Sequence, residues 1–218
     1  MVSHDLRAPL SSMKGILDII DLKDSSADLV DELQYLRGSV DKLDSFIVEL
    51  LDYSRCTKGE LKPQHISLEE ILDGTANDLK FMNAQNTTVL FKKEVEAPGV
   101  FNSDPKMIRI ILNNLISNAI RYSNPATDEP YVSVQIAATE TNARIEVTDN
   151  GIGISKDDQE KVFDMFYRVA DDSNGTGMGL HLVKLAVEKL SGEIRIESEQ
   201  NKGTKFSIVI PNMLNIQN

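Results

Sequence analysis

Residues 29–50 read LVDELQYLRGSVDKLDSFIVEL, with apolar side chains at Leu29, Leu33, Leu36, Val40, Leu43, Ile47 and Leu50. The steps alternate four and three, a heptad seam kept over three repeats, and predict one long amphipathic helix. Upstream, Leu6, Leu10, Met13, Leu17 and Ile20 repeat the alternation, and the polar Lys23-Asp24-Ser25-Ser26-Ala27 separates the two runs. A short polar break between two striped helices predicts an antiparallel helical hairpin. Two such stripes can be covered by a second copy, giving a homodimeric four-helix bundle, or by lying on the domain that follows; the bundle is the expectation.

Downstream of the seam the periodicity breaks at Thr57-Lys58-Gly59, which reads as a linker and divides the chain into 1–58 and 59–218. Beyond it the pattern is mixed. Ser67-Leu68-Glu69-Glu70 is a capping box opening a helix to about Phe81. Thr88–Val95 is rich in strand formers, and Asp104-Pro105 starts a helix with an apolar face from Met107 to Ile120. Tyr131–Thr139 and Ala143–Thr148 alternate as a hairpin, Gly179–Leu190 is helical, and Glu193–Ser198 pairs with Thr204–Ile210 across Asn201-Lys202-Gly203. Strand runs with helices between them predict an α+β architecture, helices on one face of a mixed sheet.

Composition narrows the function classes. The 218 residues hold 34 acidic and 23 basic side chains, a net charge of −11, which argues against phosphate-backbone binding to nucleic acid. The longest stretch free of charged side chains, Phe206–Asn218, contains Pro211 and is too short for a membrane helix, so no membrane contact is expected. Met1 leads directly into a polar segment rather than a signal peptide. Cys56 is the only cysteine, which excludes an internal disulfide and suits a reducing compartment. The expectation is a soluble, acidic, cytoplasmic protein.

Four short segments could carry chemistry. On a helix, Asn114 and Asn118 share a face, with Arg121 and Tyr122 one turn on. An amide oxygen there can ligate Mg²⁺ without adding charge beside phosphates, or the pair can satisfy buried backbone. Asp149-Asn150-Gly151-Ile152-Gly153-Ile154 follows a strand. Its carboxylate can accept a hydrogen bond from an amine beside glycines that allow close approach, or the segment is a plain turn. Asn174-Gly175-Thr176-Gly177-Met178-Gly179-Leu180 feeds a helix, as a phosphate cradle or a capping loop, and lacks the Gly-Lys-Ser/Thr ending of a P-loop. His4 stands beside Asp5 in Ser3-His4-Asp5-Leu6-Arg7-Ala8-Pro9-Leu10, where a surface histidine is the commoner reading. Pro9 either bends a helix running through it or begins one.

Taken in order, these segments resemble the catalytic core of a bacterial two-component sensor histidine kinase, over essentially the whole chain. Ser3–Leu10 is similar to the phosphoacceptor box, the hairpin to the dimerisation and phosphotransfer domain, and Asn114–Tyr122 to the N-box. Asp149–Ile154 and Gly175–Leu180 resemble the two glycine boxes, Phe163-Asp164-Met165-Phe166-Tyr167-Arg168 the F-box, and Gly203-Thr204-Lys205-Phe206 the closing Gly-Thr motif.

The resemblance implies an α/β-sandwich ATP-binding domain of the Bergerat type behind the helical hairpin, with ATP and Mg²⁺ bound. Asn118 would hold the metal and Asn114 support the triphosphate; Arg121 and Tyr122 would line the phosphate and base side. Asp149 would take the adenine amine, with Gly151 and Gly153 leaving room for the ring. Residues from about Ser155 to Thr176 would form a lid, with Phe166 its anchor and Arg168 a contact to the terminal phosphate. Gly175, Gly177 and Gly179 would wrap the phosphates; Thr176, Met178 and Leu180 of the same box and Thr204 count with the nucleotide-binding residues. His4 would accept the γ-phosphoryl group, Asp5 would orient the imidazole and take its proton, and an aspartate of a response-regulator receiver domain would receive the phosphoryl in turn. Adjacent helix positions do not face each other, so Asp5 needs a local bend, which Pro9 can supply. Two departures stand out. Ala8 occupies a position where many members carry Thr or Asn, and only three residues precede His4, so Met1 is expected to mark a boundary within a longer sensor. The rivals are a pseudokinase that binds nucleotide without transfer and an ATPase that releases phosphate to water.

Overall fold

The computed structural model describes residues 13–16, 29–79, 89–169 and 175–213. His4, Asp5, Ala8, Pro9, the connection at 23–27, Phe81 and Asn174 lie outside the described residues. The chain divides into two compact units, Met1–Ser54 and Arg55–Asn218.

In the first unit residues 13–16 are helical, and the heptad segment belongs to a single helix, α1 (Leu29–Lys58), which runs past the division. The expected linker at Thr57-Lys58-Gly59 is thus helical as far as Lys58, and the Gly59 N–H closes the last turn on the Arg55 carbonyl at 3.1 Å. On α1 the seam residues Leu33, Val40 and Ile47 are each about half exposed, whereas Leu36, Leu43 and Leu50 are half-buried.

The second unit places helices on one face of a five-stranded sheet. Its elements are β1 (Gln64–Ile66), α2 (Leu68–Leu79), β2 (Leu90–Glu96), β3 (Phe101–Ser103), α3 (Pro105–Arg121), β4 (Tyr131–Ala138) and β5 (Asn142–Asp149). A single 3₁₀ turn, Lys161–Phe163, precedes α4 (Gly179–Lys189), β6 (Glu193–Glu199) and β7 (Gly203–Pro211). The sheet order is β2-β4-β5-β7-β6, with β2 parallel to β4 and the other pairs antiparallel; β1 and β3 form a separate antiparallel pair.

Local chemistry starts the helices where the sequence predicts. The Ser67 hydroxyl accepts the Glu70 N–H at 3.2 Å, and Asp104 Oδ1 accepts the N–H groups of Lys106 and Met107 at 2.9 and 3.3 Å ahead of Pro105. Asp104 is buried, and its other oxygen accepts the Lys62 N–H at 2.9 Å, so the cap also ties down the entry to β1. Along β5 Ala143, Ile145 and Val147 are buried while Arg144 points outward, and β4 and β7 alternate in the same way. The inward residues meet Ile108, Ile111, Leu112, Leu115 and Ile116 of α3 and Leu182, Val183, Ala186 and Val187 of α4, all buried.

Candidate functional site

The phase of β5 places Asp149. It continues the inward series Ala143, Ile145, Val147 and lies at the strand's end between Val132 of β4 and Thr204 of β7. A carboxylate is thereby carried to the helix side of the sheet, and burial pushes its pKa up from the ordinary value. Two backbone donors work against that shift: the N–H of Gly151 at 2.8 Å and that of Thr204 at 3.3 Å, both to Oδ1.

The segment after Asp149 lies against other backbone. The Ile152 N–H reaches the Tyr122 carbonyl at 3.0 Å, and the Ile152 carbonyl accepts the Asn201 N–H at 2.7 Å. A Cβ on Gly151 would collide with the Tyr122 carbonyl oxygen. Gly153 has φ +65° and its missing Cβ would meet the Glu199 carbonyl, so only glycine fits. Ser198 completes the corner: its hydroxyl accepts the Ile154 N–H at 2.8 Å, donates to the Gly203 carbonyl at 2.9 Å and lies 2.9 Å from the Thr204 hydroxyl.

At the other end of the site the α3 asparagines meet the glycine-rich loop. The Asn114 amide donates to the Ile110 carbonyl at 2.8 Å, which satisfies backbone, while its Oδ1 faces Gly179 and would lie 2.9 Å from a Cβ there. Asn118 Nδ2 would lie 3.8 Å from the same Cβ. A Cβ at Gly175 would stand 3.1 Å from Arg121 Nη1 and 3.7 Å from the Tyr122 hydroxyl. Tyr122 thus lies between both ends, its carbonyl bonded to the Asp149 loop and its hydroxyl 3.7 Å from where a Gly175 Cβ would stand. Gly177, at φ +75°, packs on Phe166, whose N–H donates to the Gly177 carbonyl at 3.0 Å; the Met178 N–H reaches the Thr176 hydroxyl at 3.2 Å. Met178 is buried, Leu180 half-buried and Arg168 exposed.

The structure therefore brings together Asn114, Asn118, Arg121, Tyr122, Phe166 and Gly175–Leu180 as one cluster, and Asp149, Gly151, Gly153 and Thr204 as a second that Tyr122 joins to it. Sequence reading missed the side chains that hold these loops. Asn150 accepts the Tyr131 N–H at 2.8 Å and donates to the Glu129 carbonyl at 2.9 Å. Gln159 donates to the Ile154 and Ser198 carbonyls at 3.2 and 2.8 Å, and His181 Nδ1 lies 2.9 Å from the Phe163 carbonyl. The one sequence signal for them is composition: amide, imidazole and hydroxyl side chains beside glycines in a loop need partners once packed.

Two family models match the chain. The family of histidine kinase-, DNA gyrase B- and HSP90-like ATPases matches residues 103–213, half of the chain, and the His Kinase A (phospho-acceptor) domain matches residues 1–59. The fold and site thus define an ATP-binding domain of that ATPase class. The chain belongs to this family and, with the phosphoacceptor domain ahead of it, is the catalytic core of a two-component sensor histidine kinase.

Among relatives, the sensor histidine kinase RcsC of Escherichia coli is 29% identical over 217 residues, covering 96% of this chain and 22% of RcsC. The chain therefore spans about a fifth of that relative's length. The structure of the Acinetobacter baumannii histidine kinase AdeS has a TM-score of 0.74 at 22% identity, over 96% of this chain and 98% of the other. Histidine kinase ThkA, solved in complex with the response regulator protein TrrA, has a TM-score of 0.69 at 22% identity, over 97% of this chain and 60% of the other.

Proposed function

We propose that this chain binds ATP with Mg²⁺, transfers the γ-phosphoryl group to His4 and passes it on to an aspartate of a response-regulator receiver domain. The observation that carries the reading is the pairing of two chemistries in one unit. A half-buried carboxylate, Asp149, whose pKa burial raises, sits at one end, and two amide side chains beside a glycine-rich helix start sit at the other. The first suits the exocyclic amine of adenine, and the second suits phosphates.

The donor set fits a magnesium ion that keeps most of its ligands as water and phosphate oxygens. No group of three or more His, Cys, Asp or Glu that could hold a metal occurs among the described residues. The amide oxygen of Asn118 is the ligand the protein would supply, with Asn114 supporting the triphosphate. When bound, the ion neutralises charge on the phosphates. Arg121 and Tyr122 would line the phosphate and base side, Arg168 would contact the terminal phosphate and Phe166 would anchor the lid, whereas Gly151 and Gly153 are required by the Tyr122 and Glu199 carbonyls that press on them rather than by the base. Gly175, Thr176, Gly177, Met178, Gly179 and Leu180 wrap the phosphates, and Thr204 steadies Asp149 through its N–H.

In the transfer an imidazole nitrogen of His4 forms a bond to the γ-phosphorus as the bond to the β,γ-bridging oxygen breaks, and ADP leaves. The imidazole must be neutral to attack, which an unperturbed pKa of about 6.5 allows at neutral pH. Asp5 would be the group that orients the other ring nitrogen and takes its proton.

The half-exposed Leu33, Val40 and Ile47 on the seam of α1 support a homodimer through residues 1–58, with the ATP-binding domain in 59–218. Among the described residues no helix is long and apolar enough to cross a membrane. We infer that this core works in the cytoplasm as part of a longer sensor.

The test uses γ-labelled ATP. Wild type should retain label on the protein, and His4→Ala should retain none while binding ATP as before. Label released only as free phosphate would favour a simple ATPase, and loss of ATP binding in His4→Ala would overturn the separation of acceptor and nucleotide site.

A further inference from the structure

In the segment between β5 and α4, Asp158 accepts four hydrogen bonds and donates a fifth, from its N–H to the Ser155 carbonyl at 3.1 Å. The Asp158 carbonyl accepts the N–H groups of Lys161 and Val162, both at 2.9 Å, and so starts the 3₁₀ turn. Its carboxylate is equally committed: Oδ2 accepts the Ser155 hydroxyl and Oδ1 the Tyr167 hydroxyl, each at 2.6 Å. The turn that carries Asp158 is fixed to the sheet. Val162 is buried, and the Phe163 ring meets Phe206 of β7 edge-on, with centroids 6.3 Å apart and planes at 81°.

From this anchored base the carboxylate reaches nine residues along the chain to Tyr167, directly after Phe166. Phe166 has φ +67°, a left-handed backbone that a bulky L residue adopts only when its surroundings hold it there. Its N–H is the group that engages the Gly177 carbonyl at 3.0 Å, and Gly177 leads into the start of α4 beside Asn114. The Tyr167 N–H also returns to the Asp164 carbonyl at 3.1 Å, so Phe166 is bracketed between two ties.

We propose that Asp158 is a positioning residue for the phosphate end of the nucleotide site: through Tyr167 it holds Phe166 in the left-handed conformation whose N–H sets the Gly177 loop. Asp158 itself touches no nucleotide in this scheme. The inference rests on the nucleotide reading of the site given above. The electrostatics agree with the geometry, since the Ser155 and Tyr167 hydroxyls hold the Asp158 carboxyl below its ordinary pKa, and the bond to Asp158 raises that of Tyr167.

The test compares ligands that use different ends of the site. ATP spans both ends, whereas adenosine uses only the Asp149 end. ATP is followed by calorimetry and adenosine by amide NMR titration, using the full 218-residue chain. Tyr167→Phe removes only the hydroxyl; it should weaken ATP about 3–10-fold and leave adenosine within about twofold. Asp158→Ala should give at least that loss, and Asp158→Ala with Tyr167→Phe no more than the larger single loss, because both variants break the same Asp158–Tyr167 bond. Ser155→Ala, which spares the Tyr167 bond, should change ATP affinity less than Tyr167→Phe. If Asp158→Ala does not fold, Tyr167→Phe alone decides. The proposal is overturned if Tyr167→Phe binds ATP like wild type, or loses ATP and adenosine in parallel. A wild-type chain that binds neither ligand would instead overturn the nucleotide reading itself.

Discussion

Replacing Asp149 by Asn separates what this side chain does for the fold from what it does for a ligand. Both of its backbone donors, Gly151 and Thr204, reach Oδ1, and an Asn keeps an oxygen there. The exchange falls on Oδ2, which becomes an NH₂ group and would set donor against donor at an adenine amine. A mispaired buried polar group costs about 1–3 kcal/mol, so ATP affinity should fall roughly 5–150-fold by titration calorimetry. Stability without ligand should move the other way. Burial raises the Asp149 pKa in the native state, so the native protein holds that proton more tightly than the unfolded chain. Stability is therefore lost as pH rises from the unfolded pKa, about 4, through the raised native value, and then levels off. An Asn suffers no such loss. The unliganded variant should be at least as stable as wild type at neutral pH, with the advantage gone below about pH 4, as read by urea melts at both pH values. An unchanged ATP dissociation constant would remove Asp149 from base recognition. A variant less stable at neutral pH would refute the dominance of burial over the two N–H bonds.

Gly203 adopts φ +111°, and a Cβ there would collide with the Asp149 carbonyl, so Gly203→Ala should cost at least about 2 kcal/mol in a denaturant melt. Leu43→Asp places a charge in the half-buried seam of α1 and should give a monomer, or an unfolded chain, by sedimentation where wild type should be a dimer; a monomeric wild type counts against the bundle. Ala8 offers no hydrogen bond to orient a water on phosphorylated regulator, so Ala8→Thr should shorten the regulator's phosphoaspartate lifetime in the presence of ADP with little change in label on His4. No shortening, with wild type already fast, would mean that another group positions the water.

Much of the fold was legible because its signals are local. The heptad steps from Leu29 to Leu50 need only neighbours three and four residues away, and α1 follows. Ser67, Asp104 and Pro105 start α2 and α3 through bonds or fixed dihedrals within one turn. Alternation in residues 143–148 marked β5 as a strand, and the structure extends it to Asp149 and shows which side chains face inward. The glycine positions were likewise visible as motifs, although their cause was not: Gly153 is required by the Glu199 carbonyl, some 46 residues away in sequence.

What the sequence determined by itself is thus the helices α1 to α4, the strands β2 and β4 to β7 and the order of the chemical motifs, but not β1, β3 or the 3₁₀ turn. Tertiary structure alone decided that β2 pairs parallel to β4 and that β1 meets β3. It also decided that Tyr122 joins the two ends of the site, and that Asp158, not singled out by any motif, holds Tyr167. The physical reason is range. Helix caps and strand phase are set by groups within a few residues, whereas these pairings form only when whole apolar faces are buried together, and the polar groups carried along must then find partners at whatever sequence distance the packing brings near.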